Sequence, residues 1–250
     1  AGAAQEGRIL LAARISEAEL ITRFAGQIVE TEEAVFDPKA RAVRGRAARK
    51  YHALVLRERP LKVAASEASA RALAAGIASL GIDALPFSAA ARRWLERVRF
   101  LRQAEGDEWP DVSNEALEKS IEIWLAPFLA GKTSLNEISP GDVSNALHAM
   151  LTHELARRLD SEAPDRFIAP TGSELAIDYA AEAGPPISVK VQELFGLARH
   201  PSVATGKIPL VLSLLSPAGR PIQVTRDLPA FWRGSWADVK KEMRGRYPKH

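Results

Sequence analysis

Three changes of pattern along the chain predict an α+β fold: a β-rich first part, a helical bundle in the middle and a second α+β unit at the end. Residues 7 to 62 alternate apolar and polar types as strands do, and residues 66 to 160 carry apolar residues at helical spacing. Beyond residue 164, short alternating runs return between turn-forming residues. These changes set expected boundaries at 1–62, 63–163 and 164–250.

In the first part, RILLAARI reads as a strand, SEAELITRF as a short helix, GQIVETEEAVF as a strand and RAVRGRAARKYHALVLRE as its hairpin partner across DPKA. Asp37 and Pro38 make that turn, because Asp bonds its own backbone and Pro fixes φ. ERPLK closes the block. Strands that begin this early predict a sheet or barrel whose other strands lie upstream. The amino end AGAAQEGRILLAARI has neither an initiator Met nor a signal-peptide layout, so the chain is expected to start within a longer protein.

In the middle part, Leu73, Ile77 and Leu80 recur at helix spacing ahead of Gly81. Trp94, Val98 and Leu101 share a face after the cap Ser88. A third helix gathers Leu117, Ile121, Trp124, Leu125 and Phe128. A fourth opens at SPGD, with Ser139 as cap, Pro140 in the first position and Asp142 completing a capping box, and leads to Val143, Leu147, Met150 and Leu151. Four such stripes predict a small bundle.

In the last part, RFIAP and ELAIDYA are strands about the turn TGS, and AEAGPP is a loop. ISVKVQELFG begins with strand alternation and ends as a helical turn stopped by Gly196. KIPLVLSLL and RPIQVT form a hairpin about Pro217 to Gly219, and a terminal helix follows Ser235 with Asp238 at the capping-box position.

Composition narrows the function. With 250 residues, 46% hydrophobic and 26% charged, the chain buries one large or two modest cores. It has no cysteine, which excludes disulfides, thiolate metal sites and a cysteine nucleophile, and fits a reducing, cytoplasmic setting. No run approaches 18 uninterrupted apolar residues, so no membrane association is expected.

The chemical motifs are weak. LAGKTS resembles a phosphate-binding loop, but Ala126 occupies the first glycine position and a helix rather than a strand precedes it. Gly131 reads better as a helix stop, with Lys132 near the negative helix end. His153 and Glu154 lack a second histidine at zinc-binding spacing, and no Gly-x-Ser-x-Gly elbow is present. No catalytic residue, metal ligand or cofactor site is assigned.

Charge is more informative. Residues 39 to 62 hold nine Lys/Arg against Glu58 alone, a net +8, and residues 217 to 250 hold eight against three, a net +5. The whole chain is only +3, so the remainder carries −10. Two basic islands in an acidic background suit a polyanion. Strand alternation sends Arg44 and Arg46 to one side and Val43 to the other. Candidate phosphate contacts are Arg41, Arg44, Arg46, Arg49 and Lys50 in the first island, and Arg220, Arg226, Arg233, Arg244, Arg246 and Lys249 in the second. Tyr247 is the candidate base-stacking residue, and Trp236 is expected in the core. A charged strand edge also serves simply to block sheet-to-sheet pairing.

Read in order, QELFG, LLSPAGRP, QVTRDL, FWRGSW and GRYPKH closely resemble the C-terminal region of HrpB-type bacterial helicases of the DEAH/RHA group. Weaker agreement continues upstream through WLAPFLAG and YHALVLRERPL. The resemblance implies two RecA-like motor domains in the parent protein that are absent here, together with the ATP and Mg2+ they use. It also implies that residues 1–62 belong to an incomplete OB-like region, and that this segment hydrolyses no nucleotide on its own. The expected partners are RNA or another single-stranded nucleic acid and the helicase motor domains. The alternative role is a docking platform for those domains or for another protein, with Trp232 as an anchor.

Overall fold

The computed structural model describes residues 14–246. The strand expected at RILLAARI lies mostly outside them. Helix α1 (Glu17–Arg23) starts at Ser16, whose hydroxyl accepts from the Glu19 N–H while the Glu19 carboxylate accepts from the Ser16 N–H. Strands β1 (Ile28–Asp37), β2 (Ala42–Tyr51) and β3 (Leu54–Leu61) form an antiparallel sheet in that order. Asp37 closes the first turn by accepting from the N–H groups of Lys39 and Ala40.

The run expected as one strand is two. It reverses at His52 and Ala53, with His52 at φ 50°. No Gly, Asn or Asp marks that reversal, but histidine enters the left-handed region more readily than most residues.

Helix α2 (Glu67–Leu80) is capped by Ser66 and stops at Gly81, φ 89°. Its Leu73 and Ile77 are fully buried, whereas Leu80, expected in the same stripe, is 39% exposed at the rim. Gly76 faces β1, where a Cβ would lie 2.0 Å from the Phe36 ring. The missing side chain is what lets sheet and helix meet.

Helix α3 (Ala89–Glu105) follows Ser88 and buries Trp94, Leu95, Val98 and Leu101. The third expected helix is broken into α4 (Asn114–Lys119), α5 (Ile121–Trp124) and a 3-10 turn, Ala126–Leu129. Ser120 leaves helical geometry at ψ 11°, and Pro127 supplies no N–H to continue a ladder. Helix α6 (Pro140–His148) has the expected capping box but ends before Met150 and Leu151, which pack partly buried beyond it. Helix α7 (His153–Glu162) follows, capped by Thr152.

Strands β4 (Arg166–Ile168) and β5 (Glu174–Ala176) pair across the TGS turn. Strand β6 (Pro186–Lys190) passes into a 3-10 turn, Val191–Leu194, and Gly196 turns the chain at φ 88°. Strands β7 (Ser202–Val203) and β8 (Ile208–Pro209) form a small ladder. Strands β9 (Val211–Leu215) and β10 (Pro221–Thr225) make the expected hairpin. Strand β6 joins β9 in parallel, giving the order β10-β9-β6. Helices α8 (Leu228–Arg233) and α9 (Trp236–Arg246) end the described chain.

One contiguous buried cluster runs from Val43 through the helices to Phe231. LAGKTS has a structural part in it. The Val43 N–H donates to the Thr133 carbonyl at 2.7 Å, and the Leu135 N–H donates to the Arg41 carbonyl at 2.9 Å, so residues 133–135 strap the start of β2. Glu137 holds the strap by accepting from the Thr133 and Ser134 N–H groups. The Lys132 ammonium lies 2.9 Å from the Asp142 carboxylate.

The helical arginines act as clamps. Arg97 donates to the carbonyls of Ala163 and Leu159, and Arg99 to that of Val112. Arg158 meets Glu105, Glu108 and Glu162 and lies over the Trp109 ring, while Lys207 reaches Glu105 from the β7–β8 turn. No helix among the described residues is long and apolar enough to cross a membrane.

Candidate nucleic-acid interface

The β1–β3 sheet has two faces of different chemistry. Arg44, Arg46 and Lys50 alternate with Val43 and Ala47, as the pleat requires. On their face, carboxylates of the neighbouring strands meet them. Arg44 pairs with Asp37 at 3.0 Å, Arg46 with Glu33 at 3.1 Å and Glu58 at 3.3 Å, and Lys50 with Glu33 at 2.6 Å. The Lys50 ammonium, then the Arg46 guanidinium, hold the Glu33 carboxyl below its ordinary pKa. Arg46 Nε is itself buried without a partner. The basic block is thus compensated on this side by Glu33 and Asp37 of β1, which lie just before the island, and by Glu58 of β3 within it.

The opposite face is different. Arg49 stands in register with Glu30 on one side and Arg57 on the other, and like charges directly opposite destabilise an antiparallel pair. Among the described residues neither Arg49 nor Arg57 has a carboxylate within ion-pair distance, and Glu30 turns instead to Arg59 at 3.6 Å. Arg49, Arg57 and Arg59 line an open cleft of about 450 Å3 with Ala47, Pro60 and the carboxylates Glu30 and Glu58, which are turned to Arg59 and Arg46. Arg57 and Arg59 were not among the expected contacts. Only the turn at His52, which carries no sequence mark, sets them against Arg49 and Ala47. Arg41 sits at φ 51° in the turn before β2 with its carbonyl in the strap.

In the second island, Arg220 is exposed at the β9–β10 turn, and Arg233 is exposed at the end of α8. Arg226 donates to the Ala183 carbonyl. The side chains of Arg244 and Arg246, and the whole of Tyr247 and Lys249, lie outside the described residues. Among the described residues no hydrogen bond or ion pair joins the candidate cations of one island to those of the other. Trp236, expected in the core, is half-buried in an aromatic cluster with Phe195, Phe231 and Trp232. Among the described residues no three His, Asp or Glu side chains gather as metal ligands, and His148 packs on the Trp94 ring.

The described residues form a mixed α/β region in which LAGKTS serves as a backbone strap on β2. The family model described as ATP-dependent helicase C-terminal (HrpB_C) matches residues 124–250, and the chain belongs to that family.

The chain is 37% identical over 251 residues to the ATP-dependent RNA helicase HrpB of Escherichia coli (strain K12), an alignment covering 99% of this chain and 31% of that protein. It is also similar to two crystal structures of E. coli HrpB. One, described as a DExH-box NTPase, has a TM-score of 0.72 and 36% identity over 97% of this chain and 30% of that one. The other, described as a DEAH/RHA helicase, has a TM-score of 0.70 and 34% identity over 90% and 28%. The chain therefore spans about a third of the length of these relatives and corresponds to the C-terminal region of an HrpB-type helicase.

Proposed function

We propose that this chain is a noncatalytic accessory region of an ATP-dependent RNA helicase, and that it helps hold single-stranded RNA on the sheet face bearing Arg49 and Arg57. In this reading β1–β3 belong to an OB-like sheet within residues 1–62. Residues 63–163 are a helical support, and residues 164–250 are the family-specific end. ATP and Mg2+ are bound by motor domains of the same parent chain, with which this region works in the cytoplasm.

The observation that carries the reading is the Arg49–Arg57 register pair. Two guanidinium groups opposed without a carboxylate of their own cost the isolated fold energy, and a phosphate between them removes that cost. The kinship to a protein described as an RNA helicase supplies the polyanion.

The test separates folding from binding. Arg57→Thr removes the repulsion and adds a β-branched residue, so the variant is expected to melt no lower than the parent. In anisotropy titrations with single-stranded RNA across salt, it should bind more weakly, with the salt slope reduced by about 0.7 for one lost phosphate contact. Arg44→Ala, whose charge is already met by Asp37, should change affinity far less. Unchanged affinity and slope in Arg57→Thr would overturn the reading.

A further inference from the structure

The turn between β2 and β3 holds a ring that is exposed and yet fixed. His52 takes the left-handed position at φ 50°, a region that Gly and Asn enter most readily. Its Nε2 lies 3.2 Å from the side-chain oxygen of Gln27, and its ring meets the Tyr51 ring edge-on at 4.7 Å between centres. Tyr51 is backed in turn by Phe24 at 4.9 Å. Exposed side chains ordinarily hop between rotamers within nanoseconds, but two contacts hold this imidazole in one orientation.

The strand register sets these rings beside the arginine cleft. Ile28, Tyr51 and Leu54 form one row across the sheet, and Glu30, Arg49 and Arg57 form the next row on the same face. The two rows are two residues apart along β1 and β2, about 7 Å. The first row carries no charge, and its Leu54 is 55% exposed. In the second row Glu30 is turned to Arg59, so among the described residues Arg49 and Arg57 keep no carboxylate within ion-pair distance.

We infer that His52, braced by Tyr51, is a base-stacking ring for the single strand whose phosphates Arg49 and Arg57 hold. A nucleotide joins a flat π-face to an anion within one short reach. This face sets a fixed ring one row away from two guanidinium groups that lack carboxylates. The inference rests on the nucleic-acid reading above and adds a base contact to its phosphate contacts.

The experiment uses the 250-residue chain and two 12-nucleotide RNAs of equal charge, one with bases and one abasic throughout, in anisotropy titrations. The parent is expected to bind the base-bearing strand about tenfold more tightly than the abasic one. His52→Asn removes the ring and suits the left-handed turn, so the variant should melt no lower than the parent. It should lose most of the preference for bases while binding the abasic strand as the parent does. Arg57→Thr should do the reverse, keeping the preference while its salt slope falls. A parent without the preference would overturn the stacking ring and leave the phosphate reading standing, as would a His52→Asn chain that keeps the preference or weakens equally on both strands. Absence of binding to either strand by the parent would remove both.

Discussion

Asp142 shows how much one side chain settles at the residue scale. One carboxylate oxygen accepts from the N–H and the hydroxyl of Ser139, opening α6, and the other meets the Lys132 ammonium. The Ser139 bonds first, then Lys132, hold its pKa down from 3.8 to about 2. A carboxylate depressed on folding stabilises the fold above its ordinary pKa and loses that contribution as pH falls through the folded value. Asp142→Asn is expected to cost about 1 kcal/mol near neutral pH. In thermal melts the gap to the parent should hold from pH 8 to 5 and narrow from about pH 4 toward 2; a gap constant down to pH 3 would contradict the assignment. Ser139 and Asp142 were legible because a capping box is local. The partners of Arg44, Arg46 and Lys50 were not, since Glu33 and Asp37 meet them only after the chain folds back into register.

Among the elements, the contact of β1 with α2 depends on Gly76. In a solvent-exposed helix, replacing glycine by alanine stabilises by about 1 kcal/mol. Here the new methyl meets the Phe36 ring at 2.0 Å, so Gly76→Ala is expected to reverse the sign and destabilise by about 1–3 kcal/mol, read by denaturant melts. Pairing it with Phe36→Leu should recover part of the loss. Helices with long uninterrupted stripes, α2 and α3, were legible from spacing, although Leu80 shows that the last residue of a stripe can face water. The third helix was misread because Leu117, Ile121, Trp124 and Leu125 keep helical spacing across a break at Ser120, and all four are buried. Burial follows the spacing even where the backbone hydrogen bonds do not.

For the whole molecule, Arg158 ties α7 to α3, to the Trp109 loop and, through the shared Glu105, to Lys207 of the last part. Glu105 is only 7% exposed; burial pushes its pKa up, and bonds from Lys207 and Trp109 bring it below the ordinary value. Arg158→Met leaves Glu105 and Glu162 short of a cation and is expected to cost about 3 kcal/mol. Adding Glu162→Leu should restore part of it, because a buried ion group removed as a set costs less than one left half-paired. Equal melting of Arg158→Met and parent would show that the tie carries no load. None of this network was legible, since its members are spread from residue 105 to residue 207 and no local pattern links them. The strap at Thr133 and Leu135 has a temporal consequence as well. Ser134 and its acceptor at Arg41 are 93 positions apart. During translation the nascent sheet therefore leaves the ribosome about 5 to 20 s before its strap is made. For that interval the Val43 N–H lacks the Thr133 carbonyl that accepts it in the finished fold.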